Sequence, residues 1–195
     1  MMVEIDNLTL KLDGRFIFRN FSLSLERGDR VLVRGSIGSG KTTLFNIIIG
    51  FEKNFRGSVR IAGKKPGRKA VGNHISFIAQ NPDYQLLTST VEDEIEFISG
   101  KKPMENIIKY FQLENLLKRH PLTLSSSEKR RVLFAGVISS PSDLMVLDEP
   151  TADLDNLWRD RVVELLRETD KTVLMFSHED FEFMRTVRLE KIIQK

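Results

Sequence analysis

The chain contains no cysteine, which excludes a disulfide framework and any cysteine-ligated metal centre and fits a reducing compartment. Long apolar runs are also missing. Ile47–Ile49 and Leu144–Leu147 are among the longest and fall far short of a bilayer span, so any membrane crossing has to come from another polypeptide. The opening stretch MMVEIDNLTLKLDG mixes charged and apolar residues and has no apolar block of the signal-peptide kind. No charge of one sign dominates: 30 Lys and Arg stand against 27 Asp and Glu, a net +3. That excess is too small to point to nucleic acid. The densest basic stretch, Arg56 to Lys69, carries Gly and Pro and no interleaved aromatic residue, and reads as a solvated turn region. Internal repeats and low-complexity tracts are absent too.

What is present fits one α/β domain: 195 residues, 41% hydrophobic and 29% charged, enough to bury a core. Val3 to Leu12 and Arg15 to Leu25 alternate apolar and polar residues about Asp13-Gly14, predicting two antiparallel strands. Arg30 to Arg34 is a short strand ending at a glycine-rich loop, and Lys41 to Gly50 turns helical with Gly50 as its stop. Strands are expected at Gly57–Gly63 and Asn73–Ala79. From Gln80 to Leu124 strand character fades. Thr90 is placed to cap a helix with acids in its first turn, and helical stretches follow near Met104–Phe111 and Glu114–Arg119. Beyond them come a helix over Glu128–Ser139, an apolar strand over Asp143–Leu147, an amphipathic helix over Asn156–Glu168 and another apolar strand over Thr172–Phe176. Apolar strands alternating with helices predict a parallel sheet covered on both faces.

Gly35-Ser36-Ile37-Gly38-Ser39-Gly40-Lys41-Thr42 satisfies the pattern of a phosphate-binding loop, with Thr43 next in the helix. A strand that turns into a helix while its backbone wraps an anion needs glycine where a Cβ would clash. The loop amides and the helix N-terminus then offer donors and the positive end of a dipole. Lys41 adds a mobile charge at the β- and γ-phosphates, and the Thr42 hydroxyl suits Mg²⁺, a hard cation that prefers oxygen. ATP and Mg²⁺ are the ligands this predicts.

Leu144 to Leu147 ends in Asp148-Glu149, which puts two carboxylates at the edge of the sheet where open α/β folds bind ligands. Asp148 is expected to orient Mg²⁺ and Glu149 to act as general base on the attacking water. His178 follows Thr172–Phe176 by two residues and is expected at the same edge, against the γ-phosphate. Gln80 closes Asn73–Ala79 in the same manner and offers an amide to metal or water.

In their order these pieces resemble the ATP-binding-cassette (ABC) transporter ATPases. Gly35–Thr42 resembles the Walker A motif of that family, Gln80 its Q-loop, Leu124-Ser125-Ser126-Ser127-Glu128 its signature, and Asp148-Glu149 its Walker B. Ala152-Asp153-Leu154-Asp155 resembles its D-loop and His178 its switch histidine. The resemblance implies a single P-loop ABC ATPase domain over residues 1–195, with a mainly parallel core, an antiparallel N-terminal β-subdomain and a helical subdomain over about 88–140. Gln80 to Leu86, Thr90 to Ile95 and Lys129-Arg130-Arg131-Val132 are similar to the energy-coupling-factor (ECF) transporter ATPases. That narrower likeness implies a peripheral subunit at the cytoplasmic face of the cell membrane. It would pair with a second ABC ATPase, dock on an integral membrane coupling protein through Gln80–Leu87, and drive uptake of a vitamin or metal ion. A soluble ABC-type ATPase and a nucleotide-binding regulatory subunit are the alternatives.

Three departures accompany the resemblance. The signature has Ser126 and Ser127 where the family has two glycines, which implies a degenerate contribution to the partner's site and hence a heterodimer. Ser125 and Glu128 equally form a capping box for the next helix. The family's adenine-stacking aromatic falls near Leu12, which offers no π-face; Phe16 is a substitute or a core residue. Finally, the chain stops soon after His178, where ECF ATPases usually continue into a C-terminal region that helps pair the subunits.

Overall fold

A computed structural model describes residues 1–67 and 74–189. They form two compact units. One comprises the described residues of Met1–Ile75, Ser142–Glu149 and Asp170–Lys195; the other comprises Ser76–Pro141 and Pro150–Thr169.

In the first unit, β1 (Val3–Leu12) and β2 (Arg15–Leu25) form an antiparallel hairpin, and β4 (Arg56–Ile61) pairs with the other edge of β1. Asp13 and Gly14 both have positive φ, 49° and 76°, the geometry of a two-residue turn whose twist matches that of the strands. β4 stops at Ile61, short of the expected Gly63. Ala62 and Gly63 turn to φ 47° and 76°, and the Ile61 amide bonds the Lys64 carbonyl at 2.7 Å.

The same unit carries a parallel set in the order β6 (Leu144–Asp148), β7 (Thr172–Ser177), β3 (Arg30–Arg34), β8 (Arg185–Arg188). Every residue of β6 and β7 is buried, as expected of strands covered on both faces. Helix α1 (Lys41–Ile48) buries Leu44, Phe45, Ile47 and Ile48, and the Phe45 ring meets Phe176 edge-on at 6.2 Å. Gly50 follows at φ 83°, the left-handed stop that glycine supplies most readily. Arg34 pairs with Ser177, and Asp148 with Phe176. This register brings the carboxyl ends of three strands to one edge.

The second unit begins within β5 (Ile75–Ile78); Asn73, expected in that strand, lies outside the described residues. It continues through α2 (Val91–Ser99), α3 (Glu105–Tyr110), α4 (Ser126–Ser139) and α5 (Asn156–Glu168). Thr90 caps α2 by accepting from the Asp93 amide at 3.1 Å. Phe111 stacks between Phe134 at 6.4 Å and Trp158 at 6.3 Å. Against Gly136 of α4, a Cβ would come within 2.7 Å of Ile98 Cβ on α2, so glycine there lets the two helices close up.

Two charged side chains are fully buried in this unit. Oε2 of Glu94 accepts from the Leu87 and Thr88 amides at 2.9 and 2.8 Å and from the Thr88 hydroxyl. Arg130 donates to the Ala79 carbonyl at 2.9 Å and to the Gln80 carbonyl.

The helix expected over Glu114–Arg119 is a run of turns instead. The carbonyls of Leu117 and Arg119 accept from the Glu92 and Val91 amides, each at 3.0 Å, and so satisfy orphan donors at the start of α2. Pro121 then bars the α conformation at His120.

Candidate functional site

The loop between β3 and α1 is built as an anion cradle. Gly38 and Gly40 sit at φ 80° and 98°, where a side chain is strained. A Cβ on Gly40 would lie 2.8 Å from Ile17 Cγ2, and one on Gly35 would lie 2.3 Å from Ser39 Oγ and 2.9 Å from the Leu189 carbonyl oxygen. The Ser39 amide closes a turn onto the Ser36 carbonyl at 3.1 Å, and the Leu44 amide reaches the Gly40 carbonyl at 2.9 Å to start the helix. Ser39 is buried and its hydroxyl has no partner among the described residues. Ile37 is 94% exposed at the tip. Thr43 is half-buried in the first helical turn.

Lys41 is buried and folded back into this loop. Its ammonium donates to the Gly35 carbonyl at 2.6 Å and to the Ser36 carbonyl at 3.4 Å, and stands 3.7 Å from Glu149 Oε1. Thr42 donates its hydroxyl to Asp148 Oδ2 at 2.9 Å, which joins the loop to the end of β6. A hydroxyl and a single carboxylate make a donor set suited to Mg²⁺, which keeps waters and completes its shell on phosphate oxygens. Among the described residues no group of three or more His, Cys, Asp or Glu gathers as a protein-only metal cage.

Glu149 is buried, with a left-handed backbone (φ 46°), an uncommon conformation for a residue with a long side chain. Its amide bonds the Phe176 carbonyl at 2.8 Å. Its Oε2 accepts from the Ser177 hydroxyl at 2.8 Å and lies 3.0 Å from Nδ1 of His178. His178 is itself 67% exposed and directly follows β7. Beside it opens a cavity of about 470 Å³ lined by Arg34, Gly35, Ser36, His178, Arg188 and Leu189.

The structure therefore brings Gly35–Thr42, Asp148, Glu149 and His178 together in the first unit. Gln80, the Leu124–Glu128 segment and Ala152–Asp155 belong to the second. Gln80 is exposed, with its carbonyl held by Arg130. Leu124 is buried, and Ser125 is the N-cap of α4 in a complete capping box with Glu128; Ser126 and Ser127 form the first helical positions. Ala152 and Leu154 are half-buried, Asp153 takes φ 64°, and Asp155 caps α5 by accepting from the Trp158 amide at 2.9 Å. Leu12 is exposed on the hairpin. Phe16 is half-buried rather than core, with Lys11 Nζ 4.1 Å and Arg19 Cζ 4.2 Å from its ring centre. Ser177 is the participant that the sequence reading misses, because the expected strand ended one residue before it.

A strand–loop–helix phosphate cradle facing an Asp-Glu strand end and a following Ser-His pair defines a P-loop nucleotide-binding protein. Residues 18–152 match the sequence pattern of the ABC transporter family. An uncharacterized ABC transporter ATP-binding protein of Haemophilus influenzae is 37% identical over 194 residues, spanning 91% of this chain and 88% of that one. The energy-coupling factor transporter ATP-binding protein EcfA1 of Mycoplasmopsis synoviae is 31% identical, spanning 91% of this chain and 74% of that one. Among solved structures, a dimeric ATP-binding cassette in a post-hydrolysis state with ADP and Pi superposes with a TM-score of 0.84 over 97% of this chain and 95% of that one, at 24% identity. The chain belongs to the ABC transporter family and is an ATP-binding-cassette ATPase subunit.

Proposed function

We propose that this subunit hydrolyses MgATP to energise a micronutrient importer of the energy-coupling-factor type. The observation that carries the reading is the junction of Lys41, Thr42, Asp148 and Glu149 at one sheet edge, with Thr42 on Asp148 at 2.9 Å and Lys41 beside Glu149 at 3.7 Å. The loop amides and Lys41 hold the β- and γ-phosphates, an anion at a helix N-terminus with a point charge added. Thr42 and Asp148 are the residues of this edge that would hold Mg²⁺, which would supply positive charge against the phosphates. Glu149 accepts the proton of a water whose oxygen bonds the γ-phosphorus as the bond to the ADP oxygen breaks, and His178 contacts the γ-phosphate. Gln80, in the second unit, keeps the metal- and water-contacting role that the family resemblance gives it.

The importer assignment draws its support from the EcfA1 relative and from cbiO1 of Clostridium perfringens. That protein is described as part of the ABC transporter complex cbiONQ, and its structure matches at a TM-score of 0.75 and 25% identity over 97% of this chain and 85% of that one. Among the described residues no helix is long and apolar enough to cross a membrane. On this reading the chain is one ABC ATPase domain with a helical subdomain over about 88–140. It works as a peripheral subunit at the cytoplasmic face, where a membrane partner supplies the pathway and docks at Gln80–Leu87. Tyr84 and Leu87, 84% and 70% exposed, suit that contact. A second cassette subunit with a glycine-bearing signature completes the phosphate site of this one, because Ser126 and Ser127 add Cβ atoms where close approach to phosphate favours glycine. The alternative is a nucleotide-binding regulatory subunit in an assembly with one degenerate composite site.

Replacement Glu149→Gln separates the two. Hydrolysis here requires the variant to bind ATP and lose turnover by about two to four orders of magnitude. Undiminished steady-state turnover in the purified complex, with the second cassette and the membrane protein present, would sink the first reading.

A further inference from the structure

Resting on the reading of Glu149 as the general base, we infer that Ser177 is the residue that positions it. Among the described residues three groups lie at the Glu149 carboxylate: the Lys41 ammonium, the His178 ring and the Ser177 hydroxyl. Two of them are assigned to phosphates in the reaction. Lys41 sits on a flexible four-carbon stem, and His178 is two-thirds open to solvent at 67%. Neither is fixed to the carboxylate once a triphosphate offers stronger charge.

Ser177 is built differently. It is wholly buried as the last residue of β7, paired in parallel register with Arg34 of β3. Its hydroxyl donates to Glu149 Oε2 at 2.8 Å and accepts from the Glu179 amide at 3.1 Å. That second bond takes up one of the oxygen's lone pairs and leaves the hydroxyl proton directed to the carboxylate, so the donor is oriented before any substrate arrives.

The backbone adds to the constraint. The Glu149 amide is bonded to the Phe176 carbonyl, and the residue is held at φ 46°, so β7 holds Glu149 at its backbone through Phe176 and at its carboxylate through Ser177. With main chain and one oxygen fixed, the other oxygen, Oε1, is left for the water. Lys41 stands 3.7 Å from that oxygen, and a phosphate draws the lysine away. Ser177 thus positions the base without touching substrate.

The test is steady-state and single-turnover ATP hydrolysis by the assembled complex. Ser177→Ala is expected to lower kcat about tenfold, the range for removing a hydrogen bond to a charged group, with the KM for ATP within about twofold of wild type. Ser177→Thr keeps the donor and is expected to hold kcat within about threefold. In a Glu149→Gln background Ser177→Ala is expected to cause no further loss, since a residue acting through Glu149 has nothing left to position. Wild-type kcat in the alanine variant, a threonine variant as slow as the alanine one, or an equal further loss in the glutamine background overturns the inference. Full turnover in Glu149→Gln alone is a separate outcome, which removes the general-base reading itself.

Discussion

Glu128 folds back onto Ser125. Its Oε2 accepts from the Ser125 amide at 2.8 Å and from the Ser125 hydroxyl at 2.8 Å, while that hydroxyl accepts from the Glu128 amide at 3.3 Å. The pair satisfies two donors at the start of α4 that would otherwise lack partners. The signature segment, whatever it does for a neighbouring subunit, serves as the start of its own helix. Ser125→Ala should therefore lower stability by about 1 kcal/mol, read as a reduced denaturant midpoint with an unchanged slope. A wild-type midpoint would show that the cap contributes nothing to folding.

The same pair makes stability depend on acid. The Ser125 amide holds the Glu128 carboxyl below its ordinary value of 4.5, partial burial opposes this, and the Ser125 hydroxyl, Arg131 and Arg119 reinforce it. A carboxyl whose folded pKa is depressed stabilises the native state above its unfolded pKa and loses that contribution as pH falls through the folded one. Wild type should exceed Glu128→Gln in stability at neutral pH, and the gap should close below about pH 4.5. Denaturant titrations over pH 3 to 7 give the answer; a gap that widens in acid contradicts the assignment.

Arg130 holds two backbone carbonyls, Ala79 and Gln80, from a wholly buried position. Arg130→Met keeps the stem and removes the donors, so two part-buried carbonyls lose their charge-assisted partner. The expected cost is about 2 to 4 kcal/mol, visible as a lower melting temperature. A melting temperature equal to wild type would mean that water takes over the two acceptors without penalty.

Lys41→Ala tests the phosphate cradle itself. The ammonium now occupied by the Gly35 and Ser36 carbonyls is the charge expected to meet the phosphates, and its loss should weaken ATP binding about ten- to a hundredfold. Calorimetry of ATP with magnesium measures this directly, and wild-type affinity in the variant would remove Lys41 from the site.

How much of this was legible in the residues varies from place to place. The β1–β2 hairpin shows the expected bounds because alternation with period two and an Asp-Gly turn both act locally. The strand, glycine loop and helix over Arg30–Ile48 are equally local. The turns over 114–119 escaped because their carbonyls serve α2, a contact that no helical period announces. β8 gave no signal: its four residues include two arginines and none is fully buried, so it is defined by the edge of β3 it pairs with. Arg130 reads as one of a basic run after the signature, and its burial is a property of the carbonyls it meets. Ser177 looked like the residue after a strand, and only the parallel register of β6 and β7 reveals that it faces Glu149.

The Arg130 bonds have a mechanical corollary. A guanidinium on two successive carbonyls ties the second turn of α4 to the backbone leading into Gln80, so a displacement of that turn would strain the main chain at the glutamine unless these two bonds gave way.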